Sequence, residues 1–390
     1  MDVAIIGGGL EGLSVAWALT RRGVSDITVF ERHAVGSGFT AKSSGIIRCH
    51  YGVASIAAMA WRSLPVLEDA RESLDADIGF HRCGYLVAVG DGNAAPLMAN
   101  VARQQSLGID VELVDAERVG RLFPQMYLDD CAAFAYEPRA GYADGYQTAQ
   151  AYGQAARRGG CRIRQATPVT SIVEDGGRVR GVTLASGEEV GADVVVVAAG
   201  PWSPPLVAPL GVDLPIRTQR EQVMMVDPGQ PLGPVPVLSD LVSLQYLRPE
   251  HDQLLLGNSD HHAPEWVDPD RYDNTLDDEH VMTAIEKFAH RFPGLTDAAL
   301  SSSYAGCYDV TPDYNPVIGP APVEGLYLCA GFSGHGYKIS PAVGDLLADL
   351  ICDGASRDPD VAAEDFRLER FAAGELLVSP HPYAGAGEMR

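Results

Sequence analysis

The sequence predicts an α/β fold, in which a three-layer domain built around a parallel sheet is joined to a second domain with a mainly antiparallel sheet. The chain opens with a strand, turn, helix and strand pattern at residues 2–31, DVAIIGGGLEGLSVAWALTRRGVSDITVFE. A fully apolar strand, VVVV, follows a hairpin pattern, and a third strand, LYLC, precedes a glycine turn and an apolar helix. Continuous apolar runs of this kind are typical of buried parallel strands. Because these segments recur along the chain, we expect the first domain to be discontinuous.

The first turn carries a dinucleotide-binding motif. Gly7, Gly9 and Gly12 have GxGxxG spacing: the first makes the tight turn, the second lets the backbone approach a pyrophosphate, and the third lets helix and sheet pack closely. The pyrophosphate would lie at the helix N-terminus, where the dipole favours negative charge. Glu31 ends the second strand, can accept both ribose hydroxyls and would repel a 2′-phosphate, which disfavours NADP. The motif predicts a Rossmann-like domain but does not separate FAD from NAD.

Two later segments favour FAD. Residues 167–203 alternate short β runs with the turns DGG and SGE and then return to the sheet. An NAD-only dehydrogenase has no reason for this insertion. Residues 315–338, NPVIGPAPVEGLYLCAGFSGHGYK, supply a last strand, a glycine turn and a helix start that could face an electron-rich ring.

Composition excludes several classes of function. The 390-residue chain has 29 Lys plus Arg against 52 Asp plus Glu, a net charge of −23, which argues against nucleic acid as a partner. An anionic ligand would need specific local cations. The seven cysteines show no CxxC pair and no metal-ligand spacing, so we expect reduced thiols and no metal. No apolar run approaches the roughly 20 residues that span a bilayer, and the chain starts on a strand, so we expect no membrane partner and a cytoplasmic location.

Several separated motifs occur in one order along the chain. They are IIGGGLEGLSVAWAL, SGIIRCHYG, GYADGYQTAQAYGQAARRGG, VVVVAAGPWS, YAGCYDVTPDYNPVIG and GFSGHGYK. In these motifs the chain resembles the D-amino-acid oxidase superfamily of FAD enzymes, and within it the sarcosine oxidase branch. The resemblance covers residues 1 to about 355 and implies an FAD-dependent enzyme that oxidises amines or amino acids.

The resemblance implies a set of cofactor contacts. Val169 would contact the adenine side through its backbone, and Gly334, His335, Gly336 and Lys338 would lie along the flavin ring, where glycines let the backbone approach. Together with the motif residues, the expected contacts are Gly7, Gly9, Gly12, Glu31, Arg32, Ser43, Ser44, Val169, Ala199, Gly200, Trp202, Gly306, Gly334, His335, Gly336 and Lys338.

The resemblance also implies a substrate site, for which the candidate catalytic residues are Arg48, Lys338, Tyr246 and His335. Arg48 and Lys338 match the two cations that hold the substrate carboxylate in sarcosine oxidases. Each candidate also has a structural alternative. Lys338 could be solvated at a helix start, Arg48 could form a surface ion pair, and Tyr246 could be a core residue. For His335 we favour capping or packing over acid–base chemistry. The other histidines considered, His50, His261 and His262, are expected to be structural or exposed.

Three positions depart from the family pattern. Gly306 stands where monomeric sarcosine oxidase has the cysteine that tethers its flavin, and Cys307 is displaced by one residue, toward the other face of an extended segment. The loop ERHAVGSGFTAKSSG lacks the histidine of other covalent links. We therefore expect noncovalent FAD. Leu255 aligns near the lysine that activates oxygen, so the electron acceptor, O2 or another, stays open.

These observations together predict FAD-dependent oxidation of a small amino acid bearing a carboxylate, most simply a secondary or N-alkylated one. A hydride would pass from the substrate C–H to flavin N5, and the resulting imine would hydrolyse. One alternative is an FAD monooxygenase, although the Gly-Asp motif of that class is missing. Another is a flavoprotein subunit active only in a hetero-oligomer; the sequence leaves the oligomeric state open.

The motif positions predict the domain boundaries. Residues 1–83, 139–205 and 313–365 are expected to form the FAD-binding domain, 84–138 and 206–312 the substrate domain, and 366–390 a C-terminal tail whose last stretch, HPYAGAGEMR, resembles a loose end.

Overall fold

The structure, a computed structural model, describes residues 1–385. In chain order its strands are β1 (Asp2–Ile6), β2 (Asp26–Phe30), β3 (Ile46–Ile47), β4 (His81–Arg82), β5 (Tyr85–Val89), β6 (Glu112–Val114), β7 (Ala133–Glu137), β8 (Gly141–Tyr142), β9 (Arg162–Arg164), β10 (Val169–Asp175), β11 (Arg178–Leu184), β12 (Glu189–Gly191), β13 (Val194–Val197), β14 (Arg217–Asp227), β15 (Val237–Asp240), β16 (Gln245–Glu250), β17 (Gln253–Asn258), β18 (Ala299–Val310), β19 (Val317–Pro320) and β20 (Leu326–Ala330). Its α-helices are α1 (Leu10–Arg21), α2 (Ala54–Glu68), α3 (Ala70–Ser73), α4 (Asp91–Ser106), α5 (Ala116–Leu122), α6 (Gly145–Arg158), α7 (Ser203–Val207), α8 (Asp278–Arg291), α9 (Gly336–Asp353) and α10 (Arg370–Ala373).

The first sheet has the strand order β19-β20-β13-β1-β2-β9. All its pairs are parallel except that of β19 with β20. Alternate residues of β1 face opposite layers: Val3 and Ile5 pack into the core formed with helices α1, α6 and α9, whereas Ala4 and Ile6 pack against the three-stranded sheet of β10, β11 and β12. Helices, parallel sheet and antiparallel sheet are the three layers that the sequence predicted.

The second large sheet has eight strands in the order β18-β14-β17-β16-β15-β5-β7-β6. Its pairs are antiparallel apart from β15 with β5. Helices α5 and α8 cover one face through a separate apolar core that includes Phe123, Phe288 and Phe292. The predicted α/β fold, with a second, mainly antiparallel domain, is confirmed, and all eight strands lie within residues 84–138 and 206–312.

The C-terminal segment after α9 packs back onto both parts of the molecule. Arg370 forms a buried ion pair with Asp313 at 2.8 Å, and Asn100 of α4 donates to the carbonyl of His381 at 2.9 Å. Tyr383 is 2% exposed. We expected residues 381–390 to be loosely held; residues 381–385 are instead anchored by these side chains, and the remaining five lie outside the described residues.

All seven cysteines are free thiols. Among residues 1–385, no cluster of three or more His, Cys, Asp or Glu side chains has the geometry to hold a metal ion. Within the same residues, none of the helices combines the length and apolar character needed to cross a bilayer.

Candidate cofactor and substrate site

A cavity of about 480 Å³ separates the carboxyl ends of the parallel strands from the eight-stranded sheet. Its walls come from both domains: Gly7 and Glu31 follow β1 and β2, whereas Val223 and Gly306 belong to β14 and β18. A ligand here would touch the glycine turn at one end and the N-terminus of α9 at the other. A cavity that joins these two features suits an extended dinucleotide.

The glycine turn has no room for side chains. Gly7 has φ +115°, and a Cβ there would lie 2.2 Å from the carbonyl oxygen of Ala198. A Cβ on Gly12 would lie 2.1 Å from the Gly7 oxygen, so Gly12 lets α1 pack against the turn and does not line the cavity. Gly9 caps α1 and carries no side chain that would bond the helix start. The cradle therefore brings backbone, rather than side chains, to the position a pyrophosphate needs.

Glu31 is held in place at the end of β2. Its Oε2 accepts a hydrogen bond from the backbone N–H of Gly8 at 2.8 Å, and its Oε1 accepts one from the N–H of His33 at 2.7 Å. The carboxylate therefore links the glycine turn to the cavity wall. A fixed acceptor at this position fits the ribose hydroxyls of an adenine dinucleotide.

The opposite end of the cavity is formed by the loop that leads into α9. Gly334 has φ +83°, and a Cβ there would lie 2.8 Å from the ring of Tyr308. Asp309 accepts the N–H of Gly331 at 2.7 Å and fixes this loop. Because α9 begins at Gly336, its N-terminus faces the cavity, where its dipole would stabilise negative charge on a bound ring. The residues present therefore fit FAD.

Most of the predicted cofactor contacts lie on the cavity wall. Those that line it are Gly7, Gly9, Glu31, Arg32, Ser43, Ser44, Val169, Ala199, Gly200, Trp202, Gly306, Gly334, Gly336 and Lys338. Gly12 has the packing role described above, and His335 lines a smaller neighbouring cavity.

That smaller cavity, about 70 Å³ in volume, adjoins the flavin end. Its lining comprises Ser44, Ile46, Arg48, Tyr85, Ser239, Tyr246, Asn258, Ser259, His261, Tyr308, Ser333, Gly334, His335 and Lys338. Six of these, Ser44, Ile46, Tyr246, Tyr308, Gly334 and Lys338, also line the larger cavity. The four predicted catalytic residues therefore share one small space beside the cofactor cavity.

Two buried cations face this space. Arg48 and Lys338 are each 7% exposed. The guanidinium of Arg48 donates to the carbonyl of His50 and lies 4.2 Å from the ring centre of Tyr51, and Lys338 Nζ donates to the Gly334 carbonyl at 3.3 Å. A backbone carbonyl and an aromatic ring thus orient Arg48, and a backbone carbonyl contacts Lys338.

The histidine and tyrosine of the small cavity are neutral groups. Burial, with Lys338 and Arg48 nearby, holds the pKa of His335 well below its ordinary value. Its Nδ1 lies 3.2 Å from the Tyr51 hydroxyl, and it caps α9. Burial likewise raises the pKa of Tyr246, which packs over Gly257. These environments agree with the packing alternative for His335.

Other lining residues were not predicted. Tyr85, Ser239, Asn258, Ser259, Tyr308 and Ser333 line the small cavity. All but Ser333 come from the eight-stranded sheet or the turn after β17, and no local motif marks Tyr85, Ser239, Asn258 or Ser259. Among the histidines expected to be structural or exposed, His262 is exposed and His50 is buried behind the arginine. His261 is buried too, but it lines the small cavity and lies 2.9 Å from the Gln219 amide.

The structure also shows where two of the positions that depart from the family pattern lie. Gly306 lines the large cavity, with Lys42 packed against it. The Lys42 Nζ donates to Tyr272, Asn274 and the Ala305 carbonyl at 2.6, 2.6 and 2.7 Å. Leu255 is buried in β17 between β14 and β16 and lines neither cavity.

The chain matches the DAO family of FAD-dependent oxidoreductases over residues 2–350. It is 28% identical to sarcosine oxidase subunit beta of an Arthrobacter species, over 96% of this chain and 92% of that protein. It is 27% identical to glycine oxidase of Geobacillus kaustophilus, over 90% and 92%. The crystal structure of L-proline dehydrogenase from P. horikoshii superposes with a TM-score of 0.86 at 26% identity, covering 96% of this chain and 98% of that one.

These matches extend over both domains and include the glycine turn and the loop before α9. They agree with a cavity whose lining residues fit FAD, and they confirm the resemblance predicted from the motifs. The chain belongs to the DAO family and is an FAD-dependent oxidoreductase.

Proposed function

We propose that this protein oxidises a small amino acid, secondary or N-alkylated at its nitrogen, whose carboxylate is bound by Arg48 and Lys338. The observation that carries the proposal is the pairing of these two buried cations on the wall of a 70 Å³ cavity that adjoins the FAD cavity. They are contributed by the segment after β3 and by α9, far apart in the chain.

The volume of the small cavity supports a small substrate. One water needs about 10–15 Å³ on the same measure, so the 70 Å³ space has room for about five to seven heavy atoms. Glycine and its N-methyl derivatives have this size. Several relatives of this chain, sarcosine oxidase subunit beta, glycine oxidase and dimethylglycine dehydrogenase, are named for substrates of the same class.

The charge distribution supports a carboxylate. The chain carries a net charge of −23, which disfavours anions everywhere except beside specific cations. Lys338 lies in the first turn of α9, where a cation opposes the helix dipole. A substrate carboxylate bound beside Lys338 would interact favourably with both the ammonium group and the N-terminus of α9.

When bound, FAD supplies a hydride acceptor. Loss of a hydride from the carbon next to nitrogen turns the neutral amine into an iminium; water adds to this bond, and the product splits into an amine and an oxo acid. In this scheme the two cations fix the carboxylate and thereby orient the C–H bond. The low pKa of His335 and the high pKa of Tyr246 make both poor proton acceptors, so positioning is the contribution of this chain.

We also infer that FAD is held without a covalent bond. Gly306 offers no side chain to the cavity that it lines. Burial raises the pKa of the neighbouring Cys307 thiol to about 12, and a protonated thiol is a poor nucleophile.

The test is a screen that follows the bleaching of the flavin absorbance without oxygen. Sarcosine, dimethylglycine, glycine and proline are compared with the matched amines that lack a carboxylate. Each charge-assisted contact is worth roughly 1.5–3 kcal/mol, so Arg48→Ala and Lys338→Ala are expected to lower kcat/KM for the best amino acid by about 10- to 150-fold. The amines should be poor substrates and nearly indifferent to both changes.

Arg121→Ala is the control, since this exposed arginine pairs with the exposed Glu117 and lines neither cavity. A neutral amine as best substrate, or full activity of both cavity variants on the amino acid, would refute the proposal. Repeating turnover with oxygen and with an artificial acceptor separates an oxidase from a dehydrogenase. Flavin reduction without turnover on either acceptor would indicate a subunit that needs a partner.

A further inference from the structure

Glu11 is a carboxyl group inside the larger cavity that the scheme above leaves unused. It lies in the first turn of α1 and lines the cavity wall. Its Oε2 is buried and has no hydrogen-bond partner among the described residues. A Cβ on Gly336 would lie 2.6 Å from its Oε1, so the glycine that starts α9 leaves space for this carboxyl group. Glu11 therefore bridges the starts of two helices beside the cofactor cavity.

Asp309, on the same cavity wall, has the opposite surroundings. It accepts the backbone N–H of Gly331 at 2.7 Å and is stabilised in its charged form by further backbone N–H groups of Phe332 and Ser333. No such donor is directed at Glu11 among the described residues. When two carboxyls interact and one of them has donors, the proton stays on the other.

The other titratable groups that interact with Glu11 do not compensate a negative charge. They are Asp309, Cys329 of β20 and Tyr152 of α6. Burial and Asp309 hold the pKa of Glu11 well above its ordinary value, whereas the pKa of Asp309 is raised only to about 6. Burial raises the pKa of both Cys329 and Tyr152, which stay neutral.

We propose that Glu11 is a neutral carboxylic acid that donates a hydrogen bond to bound FAD, so that FAD binds the protein only with this proton in place. FAD brings a diphosphate to the N-terminus of α1 and displaces water from the cavity. Both effects disfavour an ionised Glu11, so the cofactor and the proton bind together. In the complex, Oε2 of Glu11 gains from FAD the hydrogen-bond partner that it lacks among the described residues.

The test measures the dissociation constant of FAD by fluorescence quenching on the deflavinated full chain, between about pH 6 and 10. Wild-type affinity is expected to be constant at low pH and to fall by about tenfold per pH unit above the pKa of Glu11 in the free protein. Glu11→Gln keeps a neutral hydrogen-bond donor, so its affinity should equal that of the wild type at low pH and lack the fall. Glu11→Ala should bind FAD about 2- to 12-fold more weakly throughout.

A second measurement needs no variant. Calorimetric titration of FAD in buffers with different ionisation enthalpies should show uptake of one proton above the pKa of Glu11 in the free protein and none below it. Asp309, with a pKa of about 6, is ionised throughout the alkaline range and does not contribute there. The proposal is overturned if Glu11→Gln keeps the wild-type pH dependence, if no proton is taken up at any pH, or if Glu11→Gln folds by circular dichroism but no longer binds FAD.

Discussion

The Nε2 of His50 and the hydroxyl of Tyr383 lie 2.8 Å apart in the core, although 333 residues separate them in the chain. The carbonyl of His50 accepts a hydrogen bond from the Arg48 guanidinium. The contact between His50 and Tyr383 therefore supports the backbone that orients Arg48, one of the two cations proposed to bind the substrate carboxylate. Burial and Arg48 lower the pKa of His50 to about 3, which keeps the imidazole neutral. The C-terminal segment thus packs behind the proposed substrate site and supports it.

We expect Tyr383→Phe to weaken both the fold and the substrate site. It leaves a buried imidazole nitrogen without a partner, which costs about 1–3 kcal/mol of unfolding free energy. Displacement of the Arg48 anchor should raise KM for the carboxylate substrate by about 3- to 10-fold, with a smaller change in kcat. Urea unfolding and steady-state kinetics measure the two effects. Tyr146→Phe, at a tyrosine that is 45% exposed, is the control; equal behaviour of the two variants would contradict the role of Tyr383.

A second prediction concerns the ion pair that anchors the same C-terminal segment. Arg370 donates to both oxygens of Asp313, at 2.8 and 3.0 Å, and is 1% exposed. Because Arg370→Ala leaves a buried carboxylate without its cation, we expect a loss of about 3–5 kcal/mol of unfolding free energy. The nearby Arg367→Ala breaks an exposed pair with Glu375 and an exposed hydrogen bond to the Glu364 carbonyl and should cost at most about 1 kcal/mol. A similar loss of unfolding free energy in both variants would show that the buried ion pair contributes no more to stability than the exposed one.

Local backbone requirements explain why much of the site could be predicted. The glycine turn before α1 and the loop before α9 need glycines at fixed spacing, so both can be recognised from a few adjacent residues. Lys338 lies in the second of these motifs, whereas Arg48 was predicted from the resemblance of the segment SGIIRCHYG to the family. Glu11 was not predicted, because it occupies a variable position of the first motif. A carboxylate at the start of a helix is ordinarily interpreted as a solvated group.

The other wall of the substrate cavity could not be predicted in this way. Ser239, Asn258 and His261 come from β15, β17 and the turn that follows. Their positions depend on the register of the eight-stranded sheet, which pairs distant segments, and a shift of one residue would turn a side chain to the other face. Tyr383 was missed for a similar reason, since a polar C-terminal stretch carries no sign of the core position that it fills.

The absence of a covalent flavin link is tested by denaturation of the holoprotein. Since Gly306 has no thiol and Cys307 is held protonated, heat or acid should release free FAD into the supernatant. Cys307→Ser is expected to release it equally. Flavin that precipitates with the wild-type chain but not with this variant would show a Cys307 link and refute the inference.

The last prediction concerns Glu137, a carboxyl group buried behind the arginine of the substrate site. Its Oε2 accepts the backbone N–H of Cys49 at 2.8 Å, and its Oε1 is buried with no partner among the described residues. Burial raises the pKa of Glu137 from 4.5 to about 7, against the opposing effects of this hydrogen bond and of Arg48. The folded protein therefore binds this proton more tightly than the unfolded chain does.

The sign of the pH effect follows from that difference. Below about pH 4.5 Glu137 is protonated in both the folded and the unfolded state, so its titration does not lower the stability of the fold. Between pH 4.5 and pH 7 Glu137 loses its proton in the unfolded chain but keeps it in the folded protein. Its contribution to the free energy of folding therefore becomes less favourable by about 3 kcal/mol in all. Each tenfold change in proton affinity is worth about 1.4 kcal/mol. Glu137→Gln retains an oxygen for the Cys49 N–H and has no proton to lose. The stability of this variant relative to the wild type should therefore rise steadily from pH 4.5 to 7 in urea unfolding, and then level off. Glu117→Gln, at a side chain that is 83% exposed, controls for the loss of a glutamate. A stability difference that does not change with pH would mean that the folded protein does not hold the Glu137 proton.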